Sequence, residues 1–211
     1  MRPISSKTLI SPHRRQALGI GVASLLSMGG LSSCSLIGSK KPVIGLVLGA
    51  GAARGFAHVG VIKALEAQGI RPDVVVGSSA GSVIAALLAS GVTGNELNRL
   101  ALNLDEATIA DWGLPFVGRF GGLIKGDALQ NMVNREVQNK SIEQMRIPLG
   151  IVATELQSGK GVLFRSGNTG QAVRASCSIP GVFQPTVIGG KEYVDGGLVA
   201  PVPVSYARQM G

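Results

Sequence analysis

The chain has 211 residues, of which 45% are hydrophobic, 15% charged and 31 glycine. That is enough for one domain with a sizeable core and too apolar for a disordered or coiled-coil chain. The net charge of +8 raises nucleic acid as a partner, but Arg2, Lys7, Arg14 and Arg15 all lie before residue 34 and no acidic residue does. Without them 16 basic side chains face 12 acidic ones, and no basic run with interleaved aromatics remains, so nucleic acid is excluded as a partner.

The first thirty-odd residues read as an export signal. The basic stretch "HRRQ" precedes an apolar run over 17–31 that is too short, and too rich in Gly and Ser, to span a membrane. The run ends in "LSSC", which resembles the lipobox of bacterial lipoproteins and so implies a signal peptide over 1–33, lipidation at Cys34 and a polar tether over 34–41. Ser35 after the cysteine implies sorting to the periplasmic face of the outer membrane. Arg14-Arg15 resembles a twin-arginine signal but lacks the usual aromatic. With Cys34 acylated, Cys177 has no intrachain partner and reads as a small packed residue.

From residue 42 onward, strands and helices alternate. "PVIGLVLG" is a buried strand, "GAGAARG" a glycine-rich loop and "FAHVGVIKALEAQG" a helix closed by Gly69. "PDVVVG" is a second strand, "AGSVIAALLASG" a helix ending at Gly91, and "TGNELNRLALNL" a helix with Thr93 as its N-cap. The stretch 105–126 has loop composition and is assigned no role. A helix starts at Asp127. "RIPLGIVATEL" and "GVLFRSG" are strands joined by a Ser-Gly-Lys-Gly turn, and "TGQAVRASCS" is a helix stopped before Pro180. "PTVIGGKEYVDGGL" is a hairpin turning at Gly189-Gly190. The pattern predicts a layered α/β domain over 42–211, a mostly parallel central sheet flanked by helices.

Gly77-Ser78-Ser79-Ala80-Gly81 fits G-x-S-x-G, a short pattern that needs its context. A strand runs in and a helix runs out, so the turn would present the Ser79 hydroxyl at a helix N-terminus. Ser78 lacks the glycine frame, and Ser82 falls inside the helix. A serine nucleophile needs a base, and the chain has two histidines. His13 lies in the signal. His58 lies upstream on a helix, where a packing role is the commoner one, and no histidine follows Ser79. Asp195, in "YVDGGL", stands at a strand end; it fits a base or, equally, a turn cap. The loop at 49–55 fails as a dinucleotide fingerprint because Arg54 stands at its last position, whereas its backbone N–H groups suit an oxyanion. No cluster has metal-ligand spacing, and no cofactor is expected.

Taken in order, "GAGAARGFAHVG", "GSSAGS", "ASCSIPGVFQP" and "DGG" resemble the patatin-like phospholipases, over about 42–205. The resemblance implies a three-layer patatin-like fold, and a catalytic dyad in which Asp195 takes the proton of Ser79 without a histidine. It implies an oxyanion hole at Gly51 and Ala52, a supporting Arg54, and motif glycines at Gly49, Gly55, Gly77, Gly81, Gly196 and Gly197. The substrate would be a phospholipid, lysophospholipid or similar lipid ester, with the membrane reached through the Cys34 anchor. Ala50 and Ala52 stand where the family carries glycine, and alanine resists positive φ. The chain stops at "SYARQMG", where relatives continue into a further strand and helices. The competing expectation is a non-catalytic lipoprotein that keeps the fold.

Overall fold

A computed structural model describes residues 42–103 and 124–211. The expected signal peptide, Cys34, the tether and most of the 105–126 loop lie outside the described residues.

The first unit is a pair of parallel strands. β1 (Gly45–Leu48) and β2 (Val74–Ser78) pair with Leu48 opposite Gly77. Parallel neighbours require a crossover, supplied by a 3-10 turn over Ala52–Phe56 and helix α1 (Ala57–Ala67). α1 stops as the sequence predicts: Gly69 takes φ +70, and the Gly69 and Ile70 N–H groups bond back to Glu66 and Leu65. β2 is buried along its whole length, as its unbroken Val run requires.

Helix α2 (Ala80–Ser90) follows β2 after a single residue and is buried at every position. Its Val83, Ile84, Leu87 and Leu88 pack in the main core, each worth roughly 1.5–3 kcal/mol. The small residues between them let the helix lie close on the sheet. Gly91, at φ +106, ends it. Helix α3 (Gly94–Leu102) starts with the capping box Thr93/Glu96. Helix α4 (Asp127–Glu136) begins at the predicted residue.

β3 (Leu149–Glu155) is the hub of the sheet. It pairs in parallel with β2 over residues 149–152, and antiparallel with β4 (Gly161–Phe164) over residues 151–154. At Thr154 and Glu155 it pairs antiparallel with β6 (Lys191–Val194). β5 (Thr186–Ile188) and β6 form the predicted hairpin, with Gly189 and Gly190 both at positive φ. The sheet is therefore mixed: β1, β2 and β3 form a parallel core, and the later pairings are antiparallel. Helix α5 (Thr169–Ser176), capped by Asn168, bridges the two halves.

Side-chain alternation splits the core across the sheet. Val75, Leu149 and Ile151 face the layer containing α1 to α5. Val74, Val76 and Val152 face a thinner layer that includes Ala200 and Ala207. The latter residue lies in α6 (Val204–Arg208), a five-residue helix that composition alone did not mark.

Strand pairing fixes the feature that matters for function. β2 and β4 both pair with Ile151 and Val152, so they occupy opposite edges of β3. β4 and β6 both pair with Thr154, so they too are opposed. β2 and β6 thus share one edge, approached from opposite directions. β2 ends at Ser78 opposite Val152, and β6 ends at Val194 opposite Thr154. The residues that follow, Ser79 and Asp195, are aimed at each other across the width of Ala153.

Close packing at this junction generates a test. A Cβ on Gly81 would overlap the Leu48 carbonyl and come within 2.6 Å of the Gly49 carbonyl oxygen, whereas one on the exposed Gly60 of α1 would meet nothing within 4 Å. Gly81→Ala is expected to cost about 3 kcal/mol, and Gly60→Ala to gain about 0.5–1 kcal/mol, in chemical denaturation.

Candidate active site

Ser79 sits between β2 and α2 with φ +51 and ψ −127, a backbone conformation that costs a non-glycine residue of order 1–3 kcal/mol. The neighbouring glycines make it possible: a Cβ on Gly77 would lie 2.5 Å from the Ser82 Cα, and Gly81 has no space for one. The turn presents the Ser79 hydroxyl, on a residue only 6% exposed, to Asp195. Ser79 Oγ donates to Asp195 Oδ2 at 2.6 Å, across 116 residues of sequence.

Asp195 is fixed on all sides. Its Oδ1 accepts from the Gly197 N–H at 2.7 Å, its N–H donates to the Ser178 carbonyl at 2.9 Å, and its carbonyl accepts from Thr154 Oγ1 at 2.8 Å. The residue is only 7% exposed. Burial raises the carboxyl pKa above the ordinary range, and the hydrogen bonds from Ser79 and Gly197 partly offset the rise. The two readings of Asp195, base or turn cap, are combined: it caps the 3-10 turn Gly196–Leu198 with one oxygen and receives Ser79 with the other. Gly196 has no room for a Cβ because the Val152 carbonyl lies against it, and a Cβ on Gly197 would lie 2.9 Å from that of Ala50.

The glycine loop reaches the same place. A Cβ on Gly55 would come within 2.8 Å of the Ala80 Cβ, which holds the loop against the start of α2. Gly49 packs on the Pro201 carbonyl, which also receives the Ala50 N–H at 2.8 Å. Gly51 is extended, at φ 168, and Ala52 adopts φ +47, the left-handed conformation that its methyl group resists. Among the described residues neither the Gly51 nor the Ala52 N–H has a hydrogen-bond acceptor. The Arg54 side chain is exposed. His58 does not join Ser79. Its Nε2 lies 2.9 Å from the Gly49 carbonyl, which can only accept, so Nε2–H donates and ties α1 to the loop.

A small cleft of about 20 Å³, room for about one water, opens onto Ser79 between Ala52, Ala80, Leu129, Cys177, Ile179 and Phe183. Its walls are apolar. Cys177 is one of them, and burial pushes its thiol pKa far up, so it is a neutral wall rather than a rival nucleophile. Ser78 is fully buried, its hydroxyl without a partner among the described residues, and Ser82 Oγ donates to the Ser79 carbonyl at 2.6 Å. Among the described residues no group of three or more His, Cys, Asp or Glu is gathered for a metal.

Reasoning from the sequence missed two participants. Ser176 Oγ accepts the Ser79 N–H at 2.8 Å, and the Ser178 carbonyl holds Asp195. Both belong to "ASCSIP", which was singled out only as part of a motif.

The model of the patatin-like phospholipase family matches residues 46–208. An uncharacterized NTE family protein of Mycobacterium tuberculosis is 38% identical over 168 residues, covering 80% of this chain and 46% of that protein. Patatin-like phospholipase domain-containing protein 6 of Homo sapiens is 32% identical over 172 residues, 80% of this chain and 12% of that one. Lysophospholipase NTE1 of Mycosarcoma maydis is 34% identical over 174 residues, again 80% of this chain and 9% of the relative. The chain thus spans less than half the length of these relatives. Among solved structures, VipD from Legionella pneumophila superposes with a TM-score of 0.56 at 18% identity, over 74% of this chain and 46% of VipD. ExoU in its complex with SpcU, from Pseudomonas aeruginosa, gives 0.52 at 24% identity, over 72% of this chain and 39% of that one. These two likenesses speak to the fold. On the extent of the family match and the identity to its relatives, this chain belongs to the patatin-like phospholipase family.

Proposed function

We propose that this protein is a serine acyl hydrolase that cleaves lipid acyl esters, of the phospholipid or lysophospholipid class, through an acyl-enzyme. The observation that carries the reading is the 2.6 Å hydrogen bond from Ser79 Oγ to a buried carboxylate, beside an apolar cleft. Family membership supports the substrate class. Ser79 Oγ attacks the ester carbonyl as its proton passes to Asp195 Oδ2. The N–H groups of Gly51 and Ala52 receive the oxyanion, a role worth roughly 3–4 kcal/mol per donor. Asp195 returns the proton to the departing alcohol, then takes one from the water that attacks the acyl group and gives it to Ser79 Oγ as the acid leaves. Arg54, exposed beside the loop, draws a phosphate head group toward the mouth. Acylated Cys34 would hold the domain at the bacterial envelope, beside its substrate.

A fluorophosphonate probe is expected to label Ser79, located by peptide mapping. Ser79→Ala should abolish labelling and lower turnover of a short-chain nitrophenyl ester by at least about 10³-fold. Equal turnover by the two proteins would remove the hydrolase reading and leave a lipoprotein that only keeps the fold.

Asp195 carries a second prediction. The native state raises its pKa, so between the unfolded and folded values the native state binds more protons than the unfolded one. Stability therefore falls as pH rises through that window, and the cost is fully present above it. Asp195→Asn removes the cost. It should raise the melting temperature by a few degrees at pH 7–8, with the gain vanishing below the ordinary carboxylate range, and should reduce turnover about 10³-fold. Wild-type kcat/KM should fall as acid protonates the same carboxylate. A variant less stable than wild type at neutral pH would contradict this account of the site.

A further inference from the structure

The hydrogen bonds of the β2–β3 ladder follow a fixed series. Val75 lies opposite Leu149, and its N–H donates to the Pro148 carbonyl at 2.9 Å. In a parallel pair such donors recur at every second residue along the same edge. The register carries the series from Val75 and Pro148, through Gly77 and Gly150, to Ser79 and Val152. The last rung is not made directly. Ser176 Oγ stands in it, accepting the Ser79 N–H at 2.8 Å and donating its own proton to the Val152 carbonyl at 2.6 Å. One hydrogen bond has been lengthened into two.

The insertion coincides with the change in backbone. β2 is regular up to Ser78, and at the next residue φ becomes +51. A direct rung would draw Ser79 into the sheet, at φ near about −120°, and turn its side chain with the strand alternation. Because the hydroxyl holds the ladder open, Ser79 N–H stays satisfied while its Cα lifts out of the sheet and Oγ meets Asp195. Ser176 is fully buried at the end of α5, so the inserted group has a fixed anchor. Two residues later the same segment holds the Asp195 N–H through the Ser178 carbonyl, which sets both partners from one element.

We propose that Ser176 is a positioning residue for Ser79: its hydroxyl, wedged into the final rung between β2 and β3, keeps the nucleophile in the conformation that reaches Asp195. It touches neither substrate nor the reacting oxygen, and its effect on rate rests on the hydrolase reading above. The wedge has a further consequence. The Ser79 N–H is already committed, so it is not free to receive an oxyanion.

The test compares Ser176→Ala with Ser176→Thr, which keeps the hydroxyl, and with Ser90→Ala, which removes another buried serine hydroxyl, bonded to the Leu87 carbonyl at the far end of α2. In Ser176→Ala, kcat and the rate of fluorophosphonate labelling should fall about 100-fold with KM within about twofold. Its melting temperature should drop no further than that of Ser90→Ala, which keeps full turnover, and Ser176→Thr should recover most of the rate. A crystal structure of Ser176→Ala should show Ser79 N–H directly on the Val152 carbonyl, with negative φ. Turnover within about threefold of wild type, or Ser79 unmoved and still bonded to Asp195, would overturn the proposal. If Ser176→Ala does not fold, Ser176→Cys, a weak donor and acceptor of similar size, is read by the same criteria. If wild type neither turns over ester nor takes the label, the hydrolase reading fails, and the Ser79 conformation in the variant crystal alone decides the wedge.

Discussion

β3 has one edge that serves two strands running toward each other, and this shared edge organises the molecule. β2 leaves the sheet after Ser78 and β6 after Val194, with Ala153 between their partners on β3. Neither strand can extend without running into the other. The chain must turn out of the sheet on both sides of a gap one residue wide, and a serine and an aspartate occupy the two exits. Strand register thus brings the two residues within reach of each other, and their side chains close the gap at 2.6 Å. The mixed character of the sheet follows from the same geometry. A parallel β6 would have carried Asp195 to the far end of β3, away from Ser79.

The contact is costly to maintain. Ser79 is held at φ +51, Ala52 at φ +47, and the Asp195 carboxylate is withdrawn from water. Each of the two backbone distortions costs of order 1–3 kcal/mol. The offset lies nearby: α2 is buried at all its positions and packs directly behind Ser79, and Ile151, Val152 and Ala153 on β3 are wholly buried. A rigid helix and a buried strand meet at the strained residue, which lets it persist. His58 plays a similar part for the glycine loop, tying the Gly49 carbonyl to α1, so that the loop is braced from behind as well as by Pro201.

Much of this could be read from the residues. The Val run of β2, the Ala-rich run of α2, the Thr93 N-cap, the start at Asp127 and the Gly189-Gly190 turn are local signals, written within a few positions of where they act. The geometry at Ser79 was legible because small residues were needed on both sides of one serine. What could not be read was pairing. No local pattern says that β6 runs antiparallel to β3, or that a hydroxyl 97 residues away enters the ladder at Ser79. The sequence stretch around Ser176 looks like the end of an ordinary helix, and its function exists only once β3 supplies the Val152 carbonyl. α6 escaped for a different reason: five residues are too few for a periodic signal, and the helix is held by packing Ala207 against the sheet.

The absence of histidine from the contact has a physical reading under the proposed mechanism. A carboxylate in water is too weak a base to help an alcohol attack an ester near neutral pH. Burial raises the carboxyl pKa, which makes it a better proton acceptor, and the low dielectric that does so also strengthens the hydrogen bond from Ser79. That arrangement works only if the negative charge is placed elsewhere as the proton moves. Two main-chain N–H groups without partners among the described residues, Gly51 and Ala52, would meet that need without adding a second charge to the cleft. Alanine at position 52 adopts the left-handed conformation regardless of its methyl group. The direction of that N–H is therefore held by the bracing of the loop, not by the residue's own preference. A site with no histidine thus depends on backbone placed under strain on both sides of the reacting bond, and the buried elements behind it are what keep that backbone in place.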